Sequence, residues 1–387
     1  MNDPHASRAT SCWVANVVGT GLAPQSVAEA AEPIDATFAA WAREADAAGR
    51  TDFAGLQAAV VRSVFVAGEA FLRFRPRRPE DGLAVPLQLE LLDPAQIDAG
   101  YHRDLGAAGR VVSGVEFDAI GRRVAYHVSR YAPGDPVALA TVEPVRVPAE
   151  DVLHVFEPIA PGQVRGVSRL APVLLRLRDL DELQDAALMR AKIEAMFAAF
   201  LIDPDGTAFG EATADGSLLT AGLEPGTVRF LPPGADIKFS APQAGGENYP
   251  VFVASQLRAI AAGLGLTYEQ LTGDMTGVTY SSARVALIEF RRGVEAWRAH
   301  VLVPQLLDPI WRRVLKTASL AGLLPMDVDP GVRWIAPAWE WVDPEADVKA
   351  NALAVERGFK SRRQVISESG RDPDQVAAEI AAEGRAA

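Results

Sequence analysis

The sequence carries a single cysteine, Cys12, in 387 residues. A lone thiol closes no internal disulfide and supplies no thiolate metal cluster. Only the distant His5 stands near it, and nothing there marks a lowered pKa, so a catalytic cysteine is not indicated. Histidine is scarce as well. His5, His102, His127, His154 and His300 each stand alone, none in a spacing of the H-E-x-x-H kind that signals zinc. No run approaches eighteen apolar residues, and "MNDPHASRATSCWVANVVGTGL" has an early acid and no apolar core of signal-peptide length. These absences lead to the expectation of a protein assembled in the cytoplasm, away from membranes, without cofactor or metal. Positive charge is also in short supply: 38 Lys and Arg face 50 Asp and Glu, for a net charge of -12. Proteins that grip nucleic acid by neutralising phosphates are usually basic over the whole binding face. An acidic wall instead lets a polyanion pass without sticking.

What is present is ordinary globular material, 49% hydrophobic and 23% charged. At ~100–200 residues per domain, the length predicts two or three packed units. Residues 1 to 50 read as Ala-rich helix broken by "VGTGLAPQ", where Gly19, Gly21 and Pro24 punctuate a turn. Asp52 is placed to cap a helix with apolar positions Phe53, Leu56, Val60 and Val64, and Gly68 to end it. Alternation in "EAFLRFR" and "PLQLELL" predicts strands, "GRVVSGVEFDAIGRRVAYHVSR" a hairpin turning at Asp118 to Gly121, and "DVLHVF" a last strand. Residues 52 to 160 therefore read as one α+β unit with antiparallel strands.

Beyond it the pattern becomes a long helix over 168–200, opened by Ser168 with Pro172 in its first turn. Its apolar stripe is Leu170, Val173, Leu174, Leu177, Leu180 and Leu183, with Ile193, Met196, Phe197 and Phe200 near the end. About thirty residues at ~1.5 Å each span ~45–50 Å. Residues 203 to 247 hold eight glycines and five prolines around an expected hairpin, "TVRFLPPGADIKFS". Acids such as Asp203, Asp205 and Asp236 outnumber Arg229 and Lys238 there. Helix returns over 249–265. A further helix starts near Ala283, with Leu287, Phe290, Val294, Trp297 and Val301 at 3, 4, 3, 4 spacing and Pro304 and Pro309 bending or restarting it. The strand-like "VRWIAPAWEW" precedes short helices near 344–357, 361–369 and 373–383.

Signals for chemistry are weak. Ser281 or Ser282 as a nucleophile would need a base, an orienting group and an oxyanion site, and the flanking G-x-S-x-G is absent. Thr279, Ser281 or Ser282 as a helix cap accounts for the same residues. "PGQVRGVSRL" lacks the Lys-Ser/Thr of a P-loop and the third glycine of a dinucleotide turn, so it reads as a tight turn feeding a helix. Asp179, Asp181, Glu182 and Asp185 of "RDLDELQD" are spaced along a helix without converging, as on a solvated face. Arg284, Arg291, Arg292 and Arg298 form a basic edge that either meets phosphate or pairs with Glu289, Glu295 or a neighbouring subunit. Trp334, Trp339 and Trp341 read as core or subunit interface.

The order of "VVGTGLAP", "LQAAVVRSVFVAGEAFLRFR", "LQLELLDPAQID", "GVEFDAIGRRVAYHV", "VPAEDVLHVFEPIAPGQVRGVSRLAPVL", "YEQLTGDMTGVTYSSARVALIEFRR" and "GRDPDQVAAEIAAE" resembles the lambda-type phage portal proteins over nearly the whole chain. The resemblance implies a portal-type α+β fold with α/β wing, long stem helices, β-containing clip and small helical crown. Mapped onto these residues, it gives an N-terminal arm and wing (1–167), a first stem helix (168–200), a clip (201–247) and a second stem helix (248–265). A tunnel-loop region with a long wing helix (266–303), a return to the wing (304–343) and a crown (344–387) follow. It implies a non-enzymatic, dodecameric ring at one capsid vertex of the virion, through which double-stranded DNA passes non-specifically. The implied partners are the terminase large subunit, a head-completion or adaptor protein, and major capsid or scaffold protein.

The residues so implied are Asp274, Thr276, Thr279, Tyr280, Ser281, Ser282 and Arg284 beside the tunnel. Arg176, Asp179, Lys192, Gln256 and Arg258 fall in the stem, and Asp203, Asp205, Arg229, Asp236 and Lys238 at the clip interface. The chain starts near "NDPHASRAT", where family members have a preceding arm, and stops soon after the crown helices, where longer members carry a tail. Contacts of an arm or tail with capsid or scaffold are therefore not assigned to these residues. A different head-tail connector or minor capsid protein, and a serine hydrolase using Ser281 or Ser282, are the alternative readings.

Overall fold

The computed structural model describes residues 2–28, 31–132, 134–135, 143–195, 199–202, 236–239, 248–326, 330–339 and 344–386. The chain divides into two compact units, one of Met1–Pro172 with Ala262–Ala387, the other of Val173–Ala261.

The first unit begins with α1 (Pro4–Val17), whose N-cap Asp3 accepts from the Ala6 amide, and β1 (Ala23–Ser26). Next comes α2 (Ala31–Arg43), burying Ile34, Phe38 and Trp41 at i, i+4, i+7. α3 (Phe53–Ala67) has the expected boundaries: the Asp52 carboxylate accepts from Gly55 N, and Gly68 closes the helix at φ 95°. Phe38, Trp41 and Phe53 then meet Trp311 and Trp334 in an aromatic core, ring centroids 5.0–6.5 Å apart.

Two antiparallel sheets follow. β2 (Glu69–Pro76) is flanked by β3 (Leu87–Leu92) and, out of order, by β9 (Val152–Phe156). Between these lies the meander β4 (Arg103–Asp104), β5 (Gly109–Val112), β6 (Val115–Asp118), β7 (Arg123–Val128) and β8 (Val145–Pro148). The β6–β7 turn falls at Asp118–Gly121 as the sequence predicts, with the Gly121 amide bonded to the Asp118 carbonyl. Inward residues Phe71, Ile97, Val115, Tyr126, Val147 and Val152 form the shared core.

The second unit departs from expectation at its first helix. Ser168 Oγ accepts from the Leu170 amide, but Ala171–Val173 forms a 3₁₀ turn, and α4 runs only from Leu174 to Ala195. Its 22 residues span ~33 Å rather than ~45–50. Pro172 accounts for the late start, because it lacks an amide and disfavours helical geometry in the residue before it. Val173, Leu177 and Leu180 are buried, while Leu174 is 53% exposed, because one residue past Val173 turns ~100° away. Met196 and Phe197 lie outside the described residues. Phe200, expected in the helix, is instead in β10 (Ala199–Ile202), paired antiparallel with β11 (Asp236–Phe239). The first arm of the expected hairpin, 227–235, lies outside the described residues; the second arm is β11. α5 (Tyr249–Leu264) occupies the expected span and leads back to the first unit.

There α6 (Tyr268–Thr272) precedes α7 (Tyr280–Trp297), three residues earlier than the predicted start near Ala283. The helical path continues as a π-helical segment, Arg298–Leu307, with Pro304 inside it, and as α8 (Asp308–Leu320), with Pro309 in its first turn. Phe290, Val294, Trp297 and Val301 are buried along the predicted seam. β12 (Val332–Ile335) pairs antiparallel with β1, joining residues three hundred apart in sequence to one edge. α9 (Pro344–Glu356), α10 (Arg362–Glu368) and α11 (Pro373–Ala386) match the predicted short helices. Among the described residues no helix is long and apolar enough to cross a membrane.

Candidate functional site

The segment from Thr267 to Arg284 is a pair of capped helices joined by a tight turn. Thr267 and Gln270 form a reciprocal capping box for α6, and Gly273 closes it at φ 77°. The Asp274 amide donates to Thr272 Oγ1, and its carboxylate accepts from the Thr276 amide at 2.9 Å. Hydrogen bonds from the Thr276 hydroxyl and amide hold this exposed carboxyl below its ordinary range. From α1, Arg8 Nε donates to the Gln270 carbonyl at 2.8 Å, pinning α6 to the amino-terminal helix.

The hydroxyls that raise the question of a nucleophile are spent on capping. Ser282 N donates to Thr279 Oγ1, Thr279 N donates to Ser282 Oγ at 3.2 Å, and Ser282 Oγ donates to the Thr279 carbonyl at 2.9 Å. Ser281 Oγ lies 3.3 Å from Thr279 Oγ1. Tyr280 is the first residue of α7. The hydroxyls of Ser281 and Ser282 bond within the cap, to Thr279. Burial raises the Cys12 thiol above its ordinary pKa, against the influence of Arg8 and Asn16, which keeps it a thiol at neutral pH.

The basic edge is divided among several tasks. Arg284 lies 3.7 Å from Asp347 on α9, and Arg292 lies 3.8 Å from Glu289. Arg298 is buried and donates to the carbonyls of Asn16 and Val17 at 2.8 and 2.7 Å, a cation set on the C-terminal end of α1. Arg291 and Arg298 sit over the ring of Trp339, at 5.0 and 5.3 Å. Trp334 belongs to the aromatic core, and Trp341 lies outside the described residues.

In the second unit, Arg176 Nη1 donates to Gln256 Oε1 at 2.9 Å, tying the start of α4 to α5. Asp179 and Lys192 are exposed on α4, and Arg258 on α5. Asp236 and Lys238 sit in β11 opposite Ile202 and Phe200. Asp203, Asp205 and Arg229 lie outside the described residues.

Sequence reading missed a heavily bonded polar cluster among the described residues. Arg165, inside the glycine-flanked turn, donates to both carboxylate oxygens of Glu69 and to the carbonyls of Ile97, Ser113 and Pro94. One guanidinium thus ties β2 to the loops of the meander. Burial alone would raise the Glu69 carboxyl, but hydrogen bonds from His154, Arg165 and the Gly166 amide outweigh it and hold the pKa at about 2. Burial pushes His154 down to about 4 despite Glu69, so the neutral ring donates Nε2–H to Glu69 and turns Nδ1 toward Arg123. A lone carboxylate among the apolar residues of "GEAFL" was the available signal.

The two-unit α+β chain has a portal-type fold. It superposes on a chain from the neck of a native GTA (gene transfer agent) particle computed with C12 symmetry, with TM-score 0.51 and 17% identity over 96% of this chain and 90% of that one. Residues 1–298 match the family described as phage portal protein, lambda family, and the chain belongs to that family. It is 27% identical over 358 residues to a probable portal protein of Halomonas phage phiHAP-1, covering 89% of this chain and 68% of that protein. It is 26% identical over 327 residues to portal protein B of Escherichia phage lambda, covering 76% of this chain but only 61% of that longer protein.

Proposed function

We propose that the chain is one subunit of a closed ring of twelve copies that forms the portal at a single capsid vertex. Double-stranded DNA passes through its channel during packaging and ejection. Membership of the portal family over residues 1–298 carries this reading, and the C12 symmetry named for the similar neck supports the copy number. In this reading Val173–Ala261 supplies stem and clip, residues 1–172 the wing, and 344–387 the crown. The separate compactness of Val173–Ala261 and the Arg176–Gln256 bond between α4 and α5 support the stem assignment. The turn carrying Asp274 and Thr276, with the Thr279–Ser282 cap, Tyr280 and Arg284 behind it, borders the tunnel. The clip, including Asp203, Asp205, Arg229, Asp236 and Lys238, receives the terminase large subunit and then a head-completion protein. Major capsid or scaffold protein meets the ring's periphery. Assembly takes place in the host bacterial cytoplasm and the product is a virion component.

The protein makes and breaks no bond of its own: it acts as a wall. The net charge of -12 supports passage of a polyanion with few sticky contacts. Heterologous contacts that close by rotation give such a ring. The test is packaging in a reconstituted head with charge-reversing substitutions in 203–247. Intact rings that no longer recruit terminase are the expected result, and normal packaging and terminase binding would overturn the clip assignment.

A further inference from the structure

The two ends of the first unit meet in one polar cluster. Gln25 of β1 is buried, and its amide donates to Asp372 Oδ1 at 2.8 Å and to Asp374 Oδ2 at 3.2 Å. Ionised carboxylates only accept, so both amide hydrogens are used there. Asp374 also takes both arms of Arg363 on α10, at 2.7 Å each, and Asp372 Oδ1 accepts from the Asp374 amide at the start of α11. Gly370, at φ 73°, lies so close to the chain after β12 that an added Cβ would stand 2.7 Å from the Ala338 amide nitrogen. The turn "GRDPD", residues 370–374, thus seats α10 and α11 against the β1–β12 ribbon. Neither α9 nor α10 buries a residue, and a crevice of about 1120 Å³ opens between them, α7 and β12. Sparse burial makes local opening inexpensive.

A third carboxylate opposes this contact. Asp35 of α2 accepts from the Ser26 amide at 3.0 Å. Burial, and then the charges of Asp372 and Asp374, raise the Asp35 carboxyl above its ordinary range against the pull of the Ser26 amide. Arg363 holds Asp374 below its own range, so that carboxylate stays ionised. Arg363 is committed to Asp374 and Arg371 to Glu379, while Arg333 is the ladder partner of Gln25 on β12. We propose that the GRDPD turn is a releasable latch for α10 and α11, closed by Gln25 and opposed by the charge of Asp35. Opening it separates Asp35 from Asp372 and Asp374, so the closed latch favours the protonated Asp35. Its grip therefore strengthens as pH falls from neutral, whereas the His154 shift weakens the fold with acid. The latch belongs to the single chain and does not depend on the ring reading.

The test is amide hydrogen exchange on the purified full chain in one oligomeric state, read as protection relative to intrinsic rates. Gln25→Glu keeps the shape and adds a fourth carboxylate, and is expected to speed exchange in α10 and α11 about tenfold while β2 is unchanged. Asp35→Asn keeps an acceptor for the Ser26 amide and removes the opposing charge. It is expected to slow exchange in α10 and α11 about threefold at pH 7. The wild type gains protection there as pH is lowered from 7 toward 5, and Asp35→Asn does not. Because Asp35→Asn relieves a repulsion, it carries the test if Gln25→Glu fails to fold. Wild-type α10 and α11 that exchange only with the whole fold overturn the latch. So does a folded Gln25→Glu with unchanged exchange, or an Asp35→Asn variant in which α10 and α11 exchange as fast as in the wild type or faster.

Discussion

Arg165 Nε lies 2.8 Å from Glu69 Oε1, and the two side chains, 16% and 6% exposed, join the strand that leaves α3 to the segment that leads toward α4. Removing one member of a buried pair leaves an uncompensated charge, which costs about 3–5 kcal/mol. Arg165→Met is therefore expected to lower unfolding stability by that order in urea titration. The double variant Arg165→Met, Glu69→Gln recovers part of the loss, because neither charge is then buried alone.

The same cluster sets an acid limit. The unfolded chain protonates His154 below its ordinary 6.5, whereas the folded one does so only near 4, so stability falls as pH drops through that window. Glu69 adds to the loss between its ordinary 4.5 and about 2, since its folded form resists protonation. Both contributions have the same sign. Thermal melts from pH 7 to pH 3 are expected to show a steady decline, and His154→Phe removes the upper part of it.

Thr279→Ala removes the cap of α7 and is expected to cost about 0.5–2 kcal/mol, read by denaturant unfolding. Ser281→Ala with Ser282→Ala trims the capping box and leaves assembly intact. A hydrolytic activity abolished by that pair would instead favour the nucleophile reading.

Two glycines provide a paired test. A Cβ on Gly166 would come within 2.1 Å of the Gly68 carbonyl oxygen, so Gly166→Ala forces the turn apart and is expected to destabilise by ~1–3 kcal/mol or more. Gly293 sits inside α7 with nothing within 4 Å of its Cβ position, so Gly293→Ala is expected to stabilise by about 0.5–1 kcal/mol. Melting temperatures of the two variants should move in opposite directions.

What the sequence made legible was local. The Asp52 and Gly68 caps, the Asp118–Gly121 turn, the Phe290–Val301 seam and the three C-terminal helices each depend on neighbours within a few positions. The pairing of β1 with β12 was illegible because "APQS" carries no alternation and its partner lies three hundred residues away. The Glu69–Arg165 pair spans 96 positions, and Arg165 looked like part of a plain turn until its five acceptors came together. The helix expected over 168–200 was too long because its apolar spacing continues through a 3₁₀ turn at one end and approaches a strand at the other. Of the candidate site, the capping role of Thr279 was readable, while the use of Arg298 to close α1 needed the tertiary fold.

Electron microscopy of the purified full chain tests the central claim most directly. Closed rings of twelve, with α4 and α5 of every copy lining an open hole that admits a duplex, are the predicted result. Particles with no axial hole, or with those two helices sealed away from it, would contradict the account.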